Sequence, residues 1–179
     1  PGAICSKLTK LGYDDLEIEE IKNCNEVFSS GNMPYVLMAT LARLLLEEHS
    51  WDGKGSVQTH DAPGITFKRP VLIELHHADP TTAALFADIQ QTLGLPFVNT
   101  DYRAFARWPS YFNPAWTDLR SIILREEYEN SVRRVHDAAV LLADSLPNMS
   151  KITPQQLIGC ATKDEQLSEV LSVVRLFQW

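Results

Sequence analysis

The sequence predicts an all-α fold built from helical repeats, and three observations lead to that prediction. Apolar residues recur at spacings of three and four along most of the 179 residues, and Pro, Gly, Asp and Asn lie where these runs begin or end. Sustained alternation of apolar and polar residues is absent, although residues 66–73 could form a short extended piece. Hydrophobic residues make up 45% of the chain and charged residues 22%, as in globular proteins with a packed core.

The first two helices are predicted from a glycine stop and an acidic start. Residues 5–11 form a short apolar-periodic run that Gly12 ends, because glycine readily adopts the left-handed conformation found after helices. Asp14 or Asp15 then caps a second helix, whose first turn is rich in glutamate and so complements the helix dipole. The segment Ser-Ser-Gly-Asn at residues 29–32 is predicted to break that helix.

A third helix is predicted from Pro34 to about Glu48, and a linker follows it. Proline suits the first position of a helix, and the apolar residues after Pro34 indicate a helix that is buried on most sides. Residues 50–68 then change to Gly, Asp, His, Thr and Pro without a sustained period, which is typical of a long surface loop.

The second half of the chain is predicted to be helical throughout. Asp79-Pro80 is a helix-start signal, and Asn99, Thr100 and Asp101 are three consecutive capping-type residues before an aromatic-rich run that Pro109 closes. Pro114 is predicted to restart a long helix. The predicted helices are residues 79–93, 102–108, 114–146, 154–160 and 164–178.

An internal match suggests a repeat. Shifting the chain on itself by 149 positions places Leu8 on Leu157, Asp15 on Asp164 and similar residues on each other without a gap, although helix pairs also match by chance. We therefore predict that residues 1–50 are the C-terminal part of a first repeat, 51–78 a linker and 79–179 an incomplete second repeat. Because the chain opens without Met and closes within a predicted helix, we expect it to be part of a longer protein.

Charge and cysteine content restrict the partners. A net charge of -7 and the lack of a basic stripe argue against nucleic acid, so we expect a small anionic substrate held by local donors. The apolar stretch at residues 35–46 is interrupted by Thr40 and Arg43 and is shorter than the roughly 20 residues of a membrane span, so no membrane helix is predicted. Three widely spaced cysteines indicate reduced thiols, as in a cytoplasm.

Several catalytic classes lack their signatures here. The chain has no G-x-S-x-G elbow, P-loop, dinucleotide-binding glycine motif or H-E-x-x-H zinc motif. His76-His77 with Asp79 could suggest a metal site, but adjacent side chains diverge in direction and no helical i, i+4 ligand pair is present. We therefore predict no metal.

Two residues could carry chemistry, and each has an ordinary structural interpretation as well. Asn32 lies at a predicted helix break, where it is either a turn residue or an amide that orients water. Asp101 lies at a predicted helix start, where it is either a cap or a partner of the helix dipole, or else a general base. Burial near the rings of Tyr102, Phe105 and Trp108 would raise its proton affinity and so favour the base.

The sequence contexts of these residues carry a family resemblance. G-Y-D-D-L-E-I-E-E-I and V-F-S-S-G-N-M-P-Y-V-L-M, within residues 12–38, and T-D-Y-R-A-F-A-R-W-P at residues 100–109 resemble motifs of the group I 2-haloacid dehalogenases, in matching order. The resemblance implies an all-helical, AhpD-like architecture with the active site between two repeats. It also implies a hydrolase that acts on carbon–halide bonds without a cofactor and accepts both enantiomers, and a homodimer is compatible with it.

The resemblance also implies roles for five residues. Asp101 would activate a water molecule that attacks the 2-haloalkanoic acid directly, without a covalent ester, and Asn32 would help to position that water. Tyr35 would line the substrate pocket, as would Asn99 and Thr100 just before the aspartate. Asn99 and Thr100 depart from the family pattern, because smaller residues occupy these positions there, which leaves the substrate open.

Other functions remain compatible with the residues. A related hydrolase could act on another small carboxylate, and a helical repeat protein without catalysis could bind a small molecule or a partner. An AhpD-like thiol peroxidase would need a C-x-x-C dithiol, which the chain lacks.

Overall fold

The computed structural model describes residues 2–56, 70–163 and 165–177, with side chains from Cys5 onward. Within these ranges the protein is all-α and contains no strand, which confirms the predicted fold class. A short 3₁₀ helix spans Leu75–His77. The α-helices are α1 (Gly2–Lys10), α2 (Asp15–Leu46), α3 (Pro80–Leu93), α4 (Thr100–Phe105), α5 (Pro109–Ile123), α6 (Glu126–Ser145), α7 (Pro154–Ala161) and α8 (Leu167–Arg175).

The joint between α1 and α2 forms as the sequence predicts. Gly12 has a φ of 95°, a left-handed conformation that costs glycine little. Asp14 then caps α2, because its carboxylate accepts a hydrogen bond from the Glu17 amide at 2.8 Å while Glu17 accepts one from the Asp14 amide at 3.2 Å. This reciprocal pair satisfies two amides that a helix start otherwise leaves unpaired.

The predicted break in α2 is wrong. The helix continues through residues 29–32 and through Pro34, which cannot donate its hydrogen bond to the carbonyl four residues earlier. Buried apolar residues on both sides of this stretch, including Ile21 and Leu45, stabilise the helix by tertiary packing, which outweighs the local cost. Asn32 therefore lies in the middle of a helix and not in a turn.

Beyond α2 the chain becomes irregular at the predicted place. Glu48 adopts a left-handed φ of 62°, and the His49 amide donates to the Leu44 carbonyl at 2.9 Å, which closes the helix end. Residues 49–56 have no regular structure. Residues 57–69 of the predicted linker lie outside the described residues, as do residues 66–69 of the candidate extended piece. Residues 70–73 of that piece have no regular structure.

The predicted helix from Pro114 to residue 146 is in fact two helices, with the first beginning earlier. Pro109 occupies the first position of α5, and Pro114 lies inside that helix. The break falls at Leu124 and Arg125, and α6 begins with an acidic first turn that contains Glu126 and Glu127. Acidic residues favour helix starts, so the sequence carried a signal for this second start.

The chain divides into two compact units that alternate along the sequence. Unit 1 contains Pro1–Ser30 and Ile65–Arg125, and unit 2 contains Gly31–Gly64 and Glu126–Trp179. These units are not the consecutive segments 1–50 and 79–179 that the repeat pattern suggests, so the repeat division stays a prediction. Asp164, one member of the matched pairs, lies outside the described residues.

Each unit has its own core. In unit 1, one cluster packs α3 against α5, and a second packs α1 and the start of α2 around Trp108. In unit 2 the buried residues lie on α2 and α6 and are Thr40, Leu45, Leu46, Ala139 and Ala143. None of the helices in the described part of the chain is long and apolar enough to cross a membrane.

Candidate active site

The short helix α4 is fixed in unit 1 by the segment that precedes α3. The Ile73 amide donates to the Arg103 carbonyl at 3.1 Å, and the Arg103 Nε donates back to the Ile73 carbonyl at 3.2 Å. The same guanidinium forms an ion pair with Glu74 at 2.5 Å. Two backbone segments 30 residues apart are therefore joined by three polar contacts, which fixes the orientation of α4.

Aromatic rings surround α4 on the side of α5. The Tyr102 ring stacks on Phe112 with a centroid distance of 6.2 Å and meets Trp116 edge-on at 5.7 Å. The Phe105 ring lies 5.9 Å from Phe112 and 6.0 Å from Phe28 of α2. These rings replace water around the helix with a surface of low polarity.

Asp101 lies in the first turn of α4, half-buried within this environment. Its Oδ1 accepts a hydrogen bond from the Tyr102 amide at 3.0 Å, and none of the described lysines or arginines forms an ion pair with it. Burial raises the pKa of the carboxyl, and the backbone amides of Tyr102 and Asp101 partly oppose that effect. A carboxylate held in this way binds protons more strongly than one in water.

Asn99, and not Asp101, is the N-cap of α4. The Asn99 side chain makes no capping bond, and its Oδ1 is buried without a hydrogen-bond partner among the described residues. Thr100 is the first residue of the helix and is exposed. The structure therefore brings three of the predicted site residues together at one helix start. Asp101 is not the N-cap, but its place in the first turn is that of a partner of the helix dipole.

Asn32 and Tyr35 lie on α2 in unit 2, so they are described separately from Asp101. Both side chains are exposed, and Tyr35 retains 61% of its accessible surface. Their spacing of three places them on one side of the helix. The Tyr35 ring lies beside Gly31, 3.8 Å from where a Cβ at that position would be.

Cys24 of α2 is affected by the charge of Asp101, and no function was predicted for it from the sequence. Burial raises the pKa of this half-buried thiol to about 11, Arg107 opposes the rise, and the negative charge of Asp101 adds to it. Its spacing from Ile21 and Phe28 on the helix was visible in the sequence. Only the folded structure shows that α4 packs near that side.

The histidine pair does not form a metal site with the other described residues. His76 and His77 are exposed in the 3₁₀ helix, with ring centroids 4.0 Å apart. No group of three or more His, Cys, Asp or Glu side chains in the described ranges could hold a metal ion. His60 lies outside those ranges.

Sequence comparison finds relatives that are curated enzymes, although no protein-family model matches the chain. An (R)-2-haloacid dehalogenase of Rhizobium sp. (strain NHG3) is 45% identical over 159 residues, which are 88% of this chain and 62% of that protein. An (R)-2-haloacid dehalogenase of Pseudomonas putida is 33% identical in an alignment 184 positions long, which covers 97% of this chain and 59% of that protein. The chain thus spans about three fifths of the length of these relatives.

Solved structures agree in fold. The complex of a D-2-haloacid dehalogenase mutant with D-2-CPA superposes with a TM-score of 0.80 at 31% identity and covers 97% of this chain and 61% of that one. The complex of a D-2-haloacid dehalogenase with L-LA gives a TM-score of 0.77 at 31% identity, with coverage of 97% and 62%.

These names specify one enantiomer, whereas the resemblance found in the sequence implied activity on both. The coarser relationship does not depend on that difference, because both relatives and both structures are 2-haloacid dehalogenases. Over nearly its whole length, this chain is therefore homologous in sequence and fold to 2-haloacid dehalogenases.

Proposed function

We propose that the protein hydrolyses the carbon–halogen bond of short (R)-2-haloalkanoic acids, with Asp101 as the general base. One observation carries this proposal: Asp101 is a half-buried carboxylate without an ion-pair partner in the described part of a chain homologous to enzymes that act on such acids. A structural carboxylate is usually paired or solvated, so the arrangement favours a functional role.

In the proposed reaction, Asp101 removes a proton from water while the water oxygen attacks C2 opposite the halogen. A carbon–oxygen bond forms, the carbon–halogen bond breaks, and the halide leaves with the bonding electrons. The proton later passes from Asp101 to solvent. The products are a 2-hydroxy acid of inverted configuration, a halide ion and a proton, and no ester to the enzyme forms.

The environment of Asp101 suits this task. A carboxylate in water has little affinity for the proton of another water molecule, whereas burial raises its pKa and makes it a stronger base. Proton transfer by a positioned base contributes roughly 10²–10⁴-fold to a rate. The rigid attachment of α4 through Arg103 would keep the carboxylate in a fixed position.

Four further residues are proposed to assist Asp101. Asn32 would help to position the attacking water and Tyr35 would line the substrate pocket, and both roles rest on the family resemblance. Asn99 and Thr100 would contact the substrate. For Asn99 there is additional support, because its buried and unpaired Oδ1 can accept a hydrogen bond from a bound molecule.

The preference for the (R) enantiomer rests on the names of the relatives. Direct attack by water does not by itself select an enantiomer, because the base and the halogen need only lie on opposite sides of C2. Selectivity must therefore come from how the pocket holds the carboxylate and the side chain of the substrate, which substrate comparison can test.

The test is halide release from (R)- and (S)-2-chloropropionate by the protein and by its Asp101→Asn variant. We expect release from the (R) form to fall by at least about 100-fold in the variant. Asp79→Asn is the matched control, because it removes an aspartate at another helix start. Release that survives in Asp101→Asn would exclude the proposed base, and a folded protein that releases no halide would favour another carboxylate substrate or a binding function.

We also propose a cytoplasmic setting and a homodimer as compatible with this function. The three cysteines, Cys5, Cys24 and Cys160, are free thiols. Such thiols persist most readily in a reducing compartment. Fractionation of the source cells and sedimentation of the purified protein would test the two expectations separately.

A further inference from the structure

We propose that Cys24 and Phe28 of α2 form an uncharged surface that acts as a positioning element for Asp101 and sets the base strength of its carboxylate. We call these two side chains the α2 surface. The inference rests on the proposed role of Asp101 as the base and goes beyond it, because it assigns the control of that base to a different helix.

Side chains of α2 pack against Phe105 of α4 and against the cluster that contains Trp108. Ile21, Cys24 and Phe28 are spaced by three and four residues, so they share one side of α2. Ile21 is buried in the same cluster as Trp108, and the Phe28 ring lies 6.0 Å from Phe105. Cys24 lies between them and packs against the cluster that contains Ile21 and Trp108.

Asp101 shares one side of α4 with Phe105. It precedes Phe105 by four residues, so both side chains lie on the same side of the helix. Phe105 is the ring that contacts Phe28. The negative charge of Asp101 adds to the rise in the pKa of the Cys24 thiol, which is caused mainly by burial.

The two arginines that follow Asp101 most closely in the sequence form ion pairs with other carboxylates. Arg107 pairs with Glu20 of α2 at 3.4 Å. Arg103 pairs with Glu74 at 2.5 Å. Neither cation forms an ion pair with Asp101, so the described surroundings of that carboxylate offer no opposite charge in direct contact to offset its burial.

Apart from these ion pairs, the titratable side chains that pack against the cluster of Ile21 and Trp108 are cysteines and tyrosines. Burial keeps the Cys24 thiol protonated by raising its pKa to about 11. Tyr111 of α5 accepts a hydrogen bond from Asn25, and its backbone amide donates to the Tyr13 hydroxyl. A thiol is a weak hydrogen-bond donor and an aromatic ring carries no net charge, so the α2 surface excludes water without stabilising the anion.

The test places a charge on the α2 surface and, separately, opens that surface to water. Cys24→Asp adds a carboxylate near Asp101, and like charges disfavour a second ionisation. Phe28→Leu shortens the side chain that packs on Phe105 and admits water. Asn23→Asp is the matched control, because it adds the same charge to the same helix at an exposed position next to Cys24.

Two readouts report on Asp101. A ¹³C NMR titration of its side-chain carboxyl gives the pKa in the resting protein, and the acid limb of kcat/KM against pH gives it during turnover. We expect Cys24→Asp to move both to higher pH by about one pH unit, which lowers kcat/KM about tenfold at a pH below the limb. Phe28→Leu should move both to lower pH, and Asn23→Asp should change neither by more than a small fraction of that shift.

Shifts of opposite sign separate control of the base from a general loss of packing, which would not reverse direction between the two variants. If Cys24→Asp does not fold, Cys24→Glu, which carries the same charge, takes its place, so that the comparison of signs is kept. The proposal is wrong if the Asp101 titration in Cys24→Asp equals that in Asn23→Asp, or if Phe28→Leu leaves the titration unchanged. The NMR titration needs no turnover, so it tests this inference even if the protein releases no halide.

Discussion

Asp79 and Asp101 are two aspartates near helix starts, and the structure treats them in opposite ways. Asp79 is exposed and accepts hydrogen bonds from the amides of Thr81 and Thr82 and from the Thr82 hydroxyl, at 2.6 to 3.2 Å. These bonds lower the pKa of Asp79. Asp101 accepts one such bond from its neighbour Tyr102 and is half-buried, so burial dominates and raises its pKa.

The comparison shows that two aspartates at helix starts can differ in what they do for the helix beside them. Asp79 stabilises α3 by satisfying amides that would otherwise lack partners. Asp101 lies two residues after the N-cap of α4, and that N-cap, Asn99, makes no capping bond with its side chain. The start of α4 therefore lacks the side-chain cap that α3 has.

The largest predicted effect concerns the position of the Asp101 carboxylate. Asp101→Glu keeps the charge but extends the side chain by one methylene, so we expect activity to fall by about 100-fold because a displacement of about 1 Å disrupts a near-attack geometry. Asp79→Glu should leave the rate unchanged. Halide release from (R)-2-chloropropionate measures both, and full activity in Asp101→Glu would show that α4 does not position the base tightly.

A second prediction concerns the pH dependence of stability. Because folding raises the pKa of Asp101, this residue destabilises the folded protein increasingly as pH rises from the ordinary range of aspartate through the raised value. Asp101→Asn should therefore be more stable than the wild type at pH 7 and should lose that advantage below about pH 4.

Asp79 should show the opposite sign. Folding lowers its pKa, so its contribution is present above the ordinary range and is lost as pH falls through the lowered value. Asp79→Asn should therefore be less stable than the wild type at pH 7, and the two should converge in acid. Urea unfolding midpoints from pH 3 to pH 7 measure both variants against the wild type. If the two variants change in the same direction with pH, the predicted opposite effects of Asp79 and Asp101 are wrong.

The smallest predicted effect concerns Asn99. Removing an N-cap side chain usually destabilises a helix by about 1 kcal/mol, because a capping bond is lost. Asn99 makes no such bond and leaves a buried Oδ1 unpaired. We therefore expect Asn99→Ala to change the free energy of unfolding by less than about 0.5 kcal/mol. If urea unfolding shows that Asn99→Ala lowers the free energy of unfolding by about 1 kcal/mol, Asn99 caps α4 after all.

The fold was predictable where local chemistry decides it. Gly12, the Asp14 cap and Asp79-Pro80 each specify a helix boundary within a few residues, and each boundary forms where predicted. Pro34 and Pro114 misled the prediction, because a proline signal is local whereas α2 and α5 are held by burial of residues far along the chain. The prediction of one long helix from Pro114 to residue 146 does not treat the acidic residues at the start of α6 as a helix start.

The sequence identifies candidate residues for the site, whose roles stay predictions, but it does not show their environment. Motif resemblance singled out Asp101 and placed it among aromatic residues of its own segment. The contribution of Phe28 and Cys24 was not visible, because these residues precede Asp101 by more than 70 positions and their proximity depends on how α2 packs. No sequence pattern shows that the Asn99 side chain makes no capping hydrogen bond.

The double tie between Arg103 and Ile73 has a consequence for how such a protein can evolve. Arg103 binds Ile73 through both its backbone carbonyl and its side chain, so the fold constrains this residue tightly. Asn99 and Thr100 carry no side-chain hydrogen bond among the described residues, so they can mutate at little structural cost. The residue that attaches α4 to the segment before α3 is thus distinct from the less constrained Asn99 and Thr100, so these two positions can change while that attachment is kept.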